Sequence, residues 1–249
     1  MISLAERLKD IRFIRAIVYF FVGSFTYPAL DIINHLKIEG TENLENLPQK
    51  NVLIVSNHQT YFAEVITFLH IFCAVKWRKK NKLGIPYYLL NPFTGVFFVS
   101  ASETMKKSWI TRLFTLAGSI TVKRTWNENS KEVRQGLDPS DTRKIARALE
   151  NSWVINFPQG TTTDFAPCRK GTALLIRLNS PIVIPIVISG FNVAFDKKGL
   201  RLKKKGSLLS VKIKPPLNIN YNASNDEIME DIMLAIGQSQ TQRMTNVLQ

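Results

Sequence analysis

The stretch Val52-Leu53-Ile54-Val55-Ser56-Asn57-His58-Gln59-Thr60-Tyr61-Phe62-Ala63-Glu64 reads as a buried strand that ends in a polar cluster. A short, continuous apolar run rich in β-branched residues fits a strand covered on both faces. Open α/β sheets place their sites beyond the ends of such strands. Similar runs recur at Ile120–Val122, Val154–Phe157 and Ile182–Ile188. Helix-like segments separate them, over roughly 62–73, 104–117, 139–151, 168–179 and 225–240. The alternation predicts an α/β fold, a mostly parallel central sheet flanked by helices. Asp138-Pro139-Ser140-Asp141 has the Pro and acid of a helix start. Thr125–Gly136 is polar and reads as a surface loop, while residues 197–206 form a basic turn leading into a strand at Leu208–Ile213. Such a charge run is ordinarily solvated; anionic lipid is the other surface it suits.

Composition bounds the partners. The 249 residues are 45% apolar and 21% charged, enough for a packed core. Lys and Arg number 33 against 19 Asp and Glu, a net charge of +14. That balance asks for an anionic partner: nucleic acid, an acidic membrane face, or an acidic substrate. Two cysteines, Cys73 and Cys168, make no disulfide framework and read as reduced thiols facing the cytoplasm.

The N-terminus mixes both charge signs before any apolar run, unlike a secretory signal. The longest apolar stretch, Ala16–Leu30, has 15 residues and contains Gly23, Ser24, Thr26 and Pro28. A bilayer span takes roughly 20 apolar residues, so this one falls short. Arg7, Lys9, Arg12 and Arg15 precede it, and Phe13, Tyr19, Phe20, Phe21, Phe25 and Tyr27 crowd it. Basic residues beside an aromatic, apolar helix suit a segment lying in the membrane interface. The alternative is a pair of core helices broken near Gly23–Pro28. Residues 1–35 are accordingly read as an N-terminal helix pair, and 36–249 as the α/β domain.

Four segments carry candidate chemistry. His58 is one of three histidines, and a neutral imidazole is the usual group for lifting a proton from an alcohol. Glu64 is its nearest acid in sequence. Six residues along an unbroken helix advance about 600°, leaving the two side chains roughly 120° apart. They meet only if the helix begins after His58. Phe157-Pro158-Gln159-Gly160-Thr161-Thr162-Thr163 follows another strand, with a stiff turn, a glycine permitting close approach, and hydroxyls and N–H groups suited to phosphate or an oxyanion. Gly118–Arg124 is a strand ending in Lys123 and Arg124, and Arg suits phosphate or carboxylate. Ile182–Ile188 is an apolar strand interrupted by Pro185, which points to an edge, a bulge or a pocket wall. A metal site is disfavoured: His70 and Cys73 are three apart, but no second pair with ligand spacing follows. The Gly-x-Ser-x-Gly elbow, the phosphate loop and the dinucleotide fingerprint are missing. Basic charge is spread along the chain without a recognised module, which argues against nucleic acid. Cys73, in an apolar helix, and Cys168 read as unreactive thiols.

In their order and spacing, the four segments together resemble the glycerolipid acyltransferase family, over about residues 36–215. The N-terminal helices look like that family's membrane-docking helix pair. The resemblance implies a membrane-associated enzyme at the cytoplasmic face. It would move an acyl chain from a thioester donor, acyl-CoA or acyl carrier protein, to a lysolipid hydroxyl. The first acceptor it suggests is 1-acylglycerol-3-phosphate, giving phosphatidic acid, with no cofactor, metal or nucleic acid. It makes His58 the general base and Glu64 the acid paired with it. It makes Arg124 the headgroup-phosphate contact, with Lys123 and Lys170 as further cations. Gln159, Gly160, Thr161 and Thr162 fall in the acceptor loop, and Pro185 in the pocket wall. Two departures stand out. The family's acid comes five after the histidine, where this chain has Ala63 and then Glu64. Its third block has Glu and Arg where this chain has Gln159 and Thr162. A lyso amino-acid lipid acceptor, or a lipid-binding relative without activity, are the alternatives these departures raise.

Overall fold

The computed structural model describes residues 4–101, 109–122 and 139–239. Its centre is β2 (Val52–Ser56), buried at every position. β5 (Trp153–Asn156) pairs with it on one side and β6 (Ile182–Ser189) on the other, both parallel. The sheet extends through β3 (Val96–Ala101) to β4 (Ser119–Val122) at one edge, and through β7 (Leu208–Ile213) to β1 (His35–Glu39) at the other. The order is β1-β7-β6-β2-β5-β3-β4, and only the β6–β7 pair is antiparallel among these described strands. The α/β class with a mostly parallel sheet is therefore as the sequence predicts.

Side-chain alternation gives the sheet two cores. On one face, Ile54, Ile155, Ile184 and Ile186 pack with Leu44 of α2 (Glu42–Glu45), with α3 (Ala63–Lys76), with Phe114 of α4 (Trp109–Leu116), and with Val18 and Tyr19 of the N-terminal helix α1 (Leu4–Tyr27). On the other, Leu53, Val55, Val154 and Val183 pack with α5 (Pro139–Leu149), α6 (Lys170–Asn179) and a C-terminal helix at Asn225–Ala235. α5 opens on Pro139 with Asp141 in its first turn, as its sequence signals. α6 ends at Ser180 in the left-handed region, followed by Pro181, a sequence that cannot continue the helix.

Two expectations change. The N-terminal segment is one helix, not a pair: α1 runs through Gly23 and passes into a π-helical turn at Pro28–Ile32. Gly23 is a packing device and not a break. A Cβ there would stand 2.5 Å from Leu89 Cδ2 and 3.3 Å from His70 Cε1, so its absence lets α1 close on the core. Continuity also lengthens the apolar segment. Arg12–Ile32, 21 residues of mean hydropathy 1.4, is long and apolar enough to cross a bilayer by length and composition. Pro185, expected at an edge or bulge, sits on an inner strand, opposite Val55. Its carbonyl accepts from the Lys214 N–H at 2.9 Å, just past the end of β7. The missing N–H thus falls where that ladder runs out and leaves no strand carbonyl without a donor.

Candidate active site

The site is built where β2 and β5 end side by side. Asn57 continues β2 with its side chain: Nδ2 donates to the Ile188 carbonyl at 3.0 Å and Oδ1 accepts from the Ile188 N–H at 2.8 Å. This substitutes for a rung of the ladder and fixes the backbone that carries His58. The His58 ring lies on the Phe157 ring, with centroids 4.0 Å apart and planes 23° apart. The first and third sequence motifs are therefore in direct contact.

α3 starts at Ala63, after the non-helical segment 57–62, and Glu64 lies in its first turn. The helical angle of 120° between His58 and Glu64 does not arise, because His58 stands outside the helix. Its Nδ1 lies 3.8 Å from Glu64 Oε1. The Glu64 side chain is fully buried. It accepts from the Gln59 N–H at 2.6 Å, from the Thr60 N–H, and from the Thr60 hydroxyl at 2.5 Å. The Thr60 hydroxyl in turn accepts from the Ala63 N–H at 3.2 Å. This resembles a capping box stretched by one residue. Burial pushes the Glu64 carboxyl up to about 7, against the pull of these donors, which favour the anion.

The Phe157–Thr163 loop closes the other side. Gly160 has φ +63°, and a Cβ there would stand 2.4 Å from Arg169 Nε, so the arginine side chain lies against bare backbone. Arg169 Nε donates to the Gln159 carbonyl at 3.2 Å. Thr161 and Thr162 are half-buried in this loop, and Lys170, the first residue of α6, is exposed beside it.

Gln159 is turned inward, not toward a headgroup. It is 3% exposed, and its Nε2 donates to the Ala166 carbonyl at 3.0 Å and to Gln238 Oε1 at 3.1 Å. A buried amide must place its donors, and this one braces the loop. Pro185 is also away from the dyad. The alternation of Val183 into one core and Ile184 and Ile186 into the other puts Pro185 on the sheet face opposite α3. Lys123 and Arg124 lie outside the described residues, which end at Val122 on this strand.

Asn57, Thr60 and Phe157 hold the site together in ways that their motifs do not assign. Asn57 and Thr60 flank the histidine, and their spacing to strand and helix was the available signal. Phe157 carried none, since ring stacking follows only from β2 and β5 being neighbours. Burial pushes the thiols of Cys73 and Cys168 up to about 12, which fits unreactive side chains.

An apolar cavity of about 350 Å³ lies between α1, α3 and α4. Val22, Phe25, Ile66, Leu69, Leu113 and Leu200 are among its walls. It reaches α3 two residues beyond Glu64, at Ile66. His70 also lines it, bonded through Nε2 to the Thr26 hydroxyl at 3.1 Å and through Nδ1 to the Tyr88 hydroxyl at 2.9 Å.

The acid–histidine pair thus stands at the C-terminal edge of a parallel sheet, with the Phe157–Thr163 loop on one side and an apolar cavity nearby, a placement typical of sites in α/β enzymes. The family model described as Acyltransferase matches residues 35–189, and the chain belongs to that family. It is an acyltransferase, as the sequence resemblance implies. Its fold is similar to the crystal structure of the 1-acyl-sn-glycerophosphate (LPA) acyltransferase PlsC from Thermotoga maritima. The TM-score is 0.53 at 17% identity, over 97% of this chain and 82% of that one. At that identity the likeness speaks for the fold. Comparison with curated proteins gives no match.

Proposed function

We propose that the protein transfers an acyl chain from an anionic thioester, acyl-CoA or acyl carrier protein, to the hydroxyl of a lysophospholipid. The first acceptor to test is 1-acylglycerol-3-phosphate, which would give phosphatidic acid. The observation that carries the reading is the His58–Glu64 pair, 3.8 Å apart with the carboxyl wholly buried. His58 takes the proton from the acceptor hydroxyl as its oxygen attacks the thioester carbonyl. Glu64 holds the ring and stabilises the imidazolium that forms. When the tetrahedral intermediate collapses, the C–S bond breaks and His58 returns the proton to the departing thiolate. No acyl-enzyme is needed.

The cavity walled by Val22, Phe25 and Leu69 suits an acyl chain, since its walls are almost wholly apolar. Lys170, with Lys123 and Arg124, is assigned to the acceptor phosphate. Pro185 is left out of this proposal because of its place on the opposite face.

Membrane association belongs to the same reading. Residues 1–35 form its anchoring region and 36–249 the catalytic region. α1 exposes Phe13, Ile17, Phe21 and Phe25 while burying Arg15, Val18 and Tyr19 against the domain. A helix with one face committed to the domain and the other apolar and aromatic suits an in-plane position at the bilayer surface. The cytoplasmic leaflet fits the thioester donors.

The direct test is purified protein with acyl-CoA and a panel of lysolipids, followed by thiol release. Release with lysophosphatidic acid and its loss in His58→Ala support the reading. Thiol release equal in both proteins would refute it.

A further inference from the structure

The basic turn that the proposed reaction does not use is built into the catalytic loop. Lys197, Lys198, Arg201, Lys203, Lys204 and Lys205 put six cations within nine residues, all exposed. Asp196 organises the turn, its carboxylate accepting from the N–H groups of Leu200 at 2.9 Å and Arg201 at 3.1 Å. On one side, the carbonyls of Lys197 and Lys198 accept from the N–H groups of Tyr61 and Phe62, each at 3.1 Å. Gly199 is pressed onto the same loop at φ +74°. A Cβ there would stand 2.4 Å from Thr60 Oγ1 and 2.5 Å from the Ala63 nitrogen. On the other side, Gly206 donates to the Ile33 carbonyl at 2.9 Å, at the end of the N-terminal helical segment. Leu200, at the tip, lines the apolar cavity together with Phe21 and Phe25 of α1.

We propose that the Lys197–Lys205 turn docks on the anionic headgroups of the bilayer and so couples membrane contact to the loop holding His58 and Glu64. The partner is a lipid surface because the cations are continuous with apolar and aromatic groups. Leu200 is exposed at the tip, and Phe25 beside it is 81% exposed. Cations flanking an apolar patch fit an acidic membrane interface. The inference rests on the membrane reading of α1 but assigns the charge dependence to a different element.

The test is sedimentation with vesicles of phosphatidylcholine alone and of phosphatidylcholine mixed with phosphatidylglycerol. The variant is Lys203→Gln/Lys204→Gln/Lys205→Gln, whose side chains are exposed and lie outside the segment bonded to the catalytic loop. Each lysine near an anionic surface is worth roughly a factor of five, so the variant should bind the mixed vesicles about a hundredfold more weakly. Binding to phosphatidylcholine alone, and turnover of micellar substrate, should match the wild type. Equal binding of wild type and variant to the mixed vesicles overturns the proposal, as does a wild type indifferent to phosphatidylglycerol. So does unchanged vesicle binding with lost binding of acyl carrier protein, which would make the turn a protein dock. A Phe13→Glu/Phe25→Glu variant separates the two readings. If it leaves the vesicles while the lysine variant stays, only the charge assignment falls; if both stay, the membrane reading falls as well.

Discussion

In the proposed reaction His58 and Glu64 divide the work of one proton transfer, and each makes its own expectation. His58→Ala should lower kcat by about 10²- to 10⁴-fold, the usual weight of a general base, with little change in melting temperature. Glu64 must be ionised to stabilise the imidazolium, and burial raises its carboxyl to about 7. Turnover of the wild type should therefore fall as pH drops through about 7, an apparent value that belongs to the pair. In Glu64→Gln that limb should shift or vanish in a pH–rate profile. The same shift acts on stability. A carboxyl raised above its unfolded value favours the protonated fold, so its contribution is complete below about pH 4.5 and lost as pH rises through 7. The difference is about 3 kcal/mol, and denaturation at pH 5 and pH 8 should show it in the wild type but not in Glu64→Gln. Gln159 makes a further case. A carboxylate there would face the Ala166 carbonyl and Gln238 Oε1, both acceptors. Gln159→Glu should cost about 1–3 kcal/mol in denaturant unfolding and leave headgroup selectivity unchanged. His58 and Glu64 were legible as a pair from chemistry and spacing. The inward turn of Gln159 was not, because its partner Gln238 is 79 residues away in sequence.

At the scale of elements, the loop 57–62 and the turn 196–201 behave as one unit. Gly199→Ala forces a Cβ at φ +74° onto the backbone nitrogen of Ala63. That clash is with main chain and cannot be relieved by a rotamer change. The variant should lose about 2 kcal/mol or more of stability and most of its turnover, measured by thermal melting alongside an acyl-transfer assay. The N-terminal helix shows why element boundaries were harder to read than element types. Gly23 and Pro28 read locally as breakers, yet one is a close-packing point against Leu89 and the other opens a π-helical turn. Tertiary packing overrides local propensity in both places. β1 and β3 were also missed. β1 is an edge strand of mixed polarity, His-Leu-Lys-Ile-Glu, and β3 begins with an apolar run, Val-Phe-Phe-Val, that shows no alternation. A short apolar run of that kind cannot be assigned to strand or helix by periodicity.

For the whole molecule, the fold class followed from the alternation of β-branched runs and helical segments, because a parallel sheet covered on both faces leaves that imprint. The strand order did not, since β1 joins the sheet only through β7, which itself lies antiparallel to β6. The same arrangement links the basic turn to the catalytic loop by backbone hydrogen bonds and to the N-terminal helix across the apolar cavity, the juxtaposition on which the proposed membrane docking rests. The proposed reaction is transfer of an acyl group with His58 as base. Mass spectrometry of the lipid products from acyl-CoA and 1-acylglycerol-3-phosphate tests it most directly. Phosphatidic acid formed by the wild type and lost in His58→Ala is the result expected. Phosphatidic acid formed equally by both, or no acylated product from any lysolipid offered to the wild type, would contradict it.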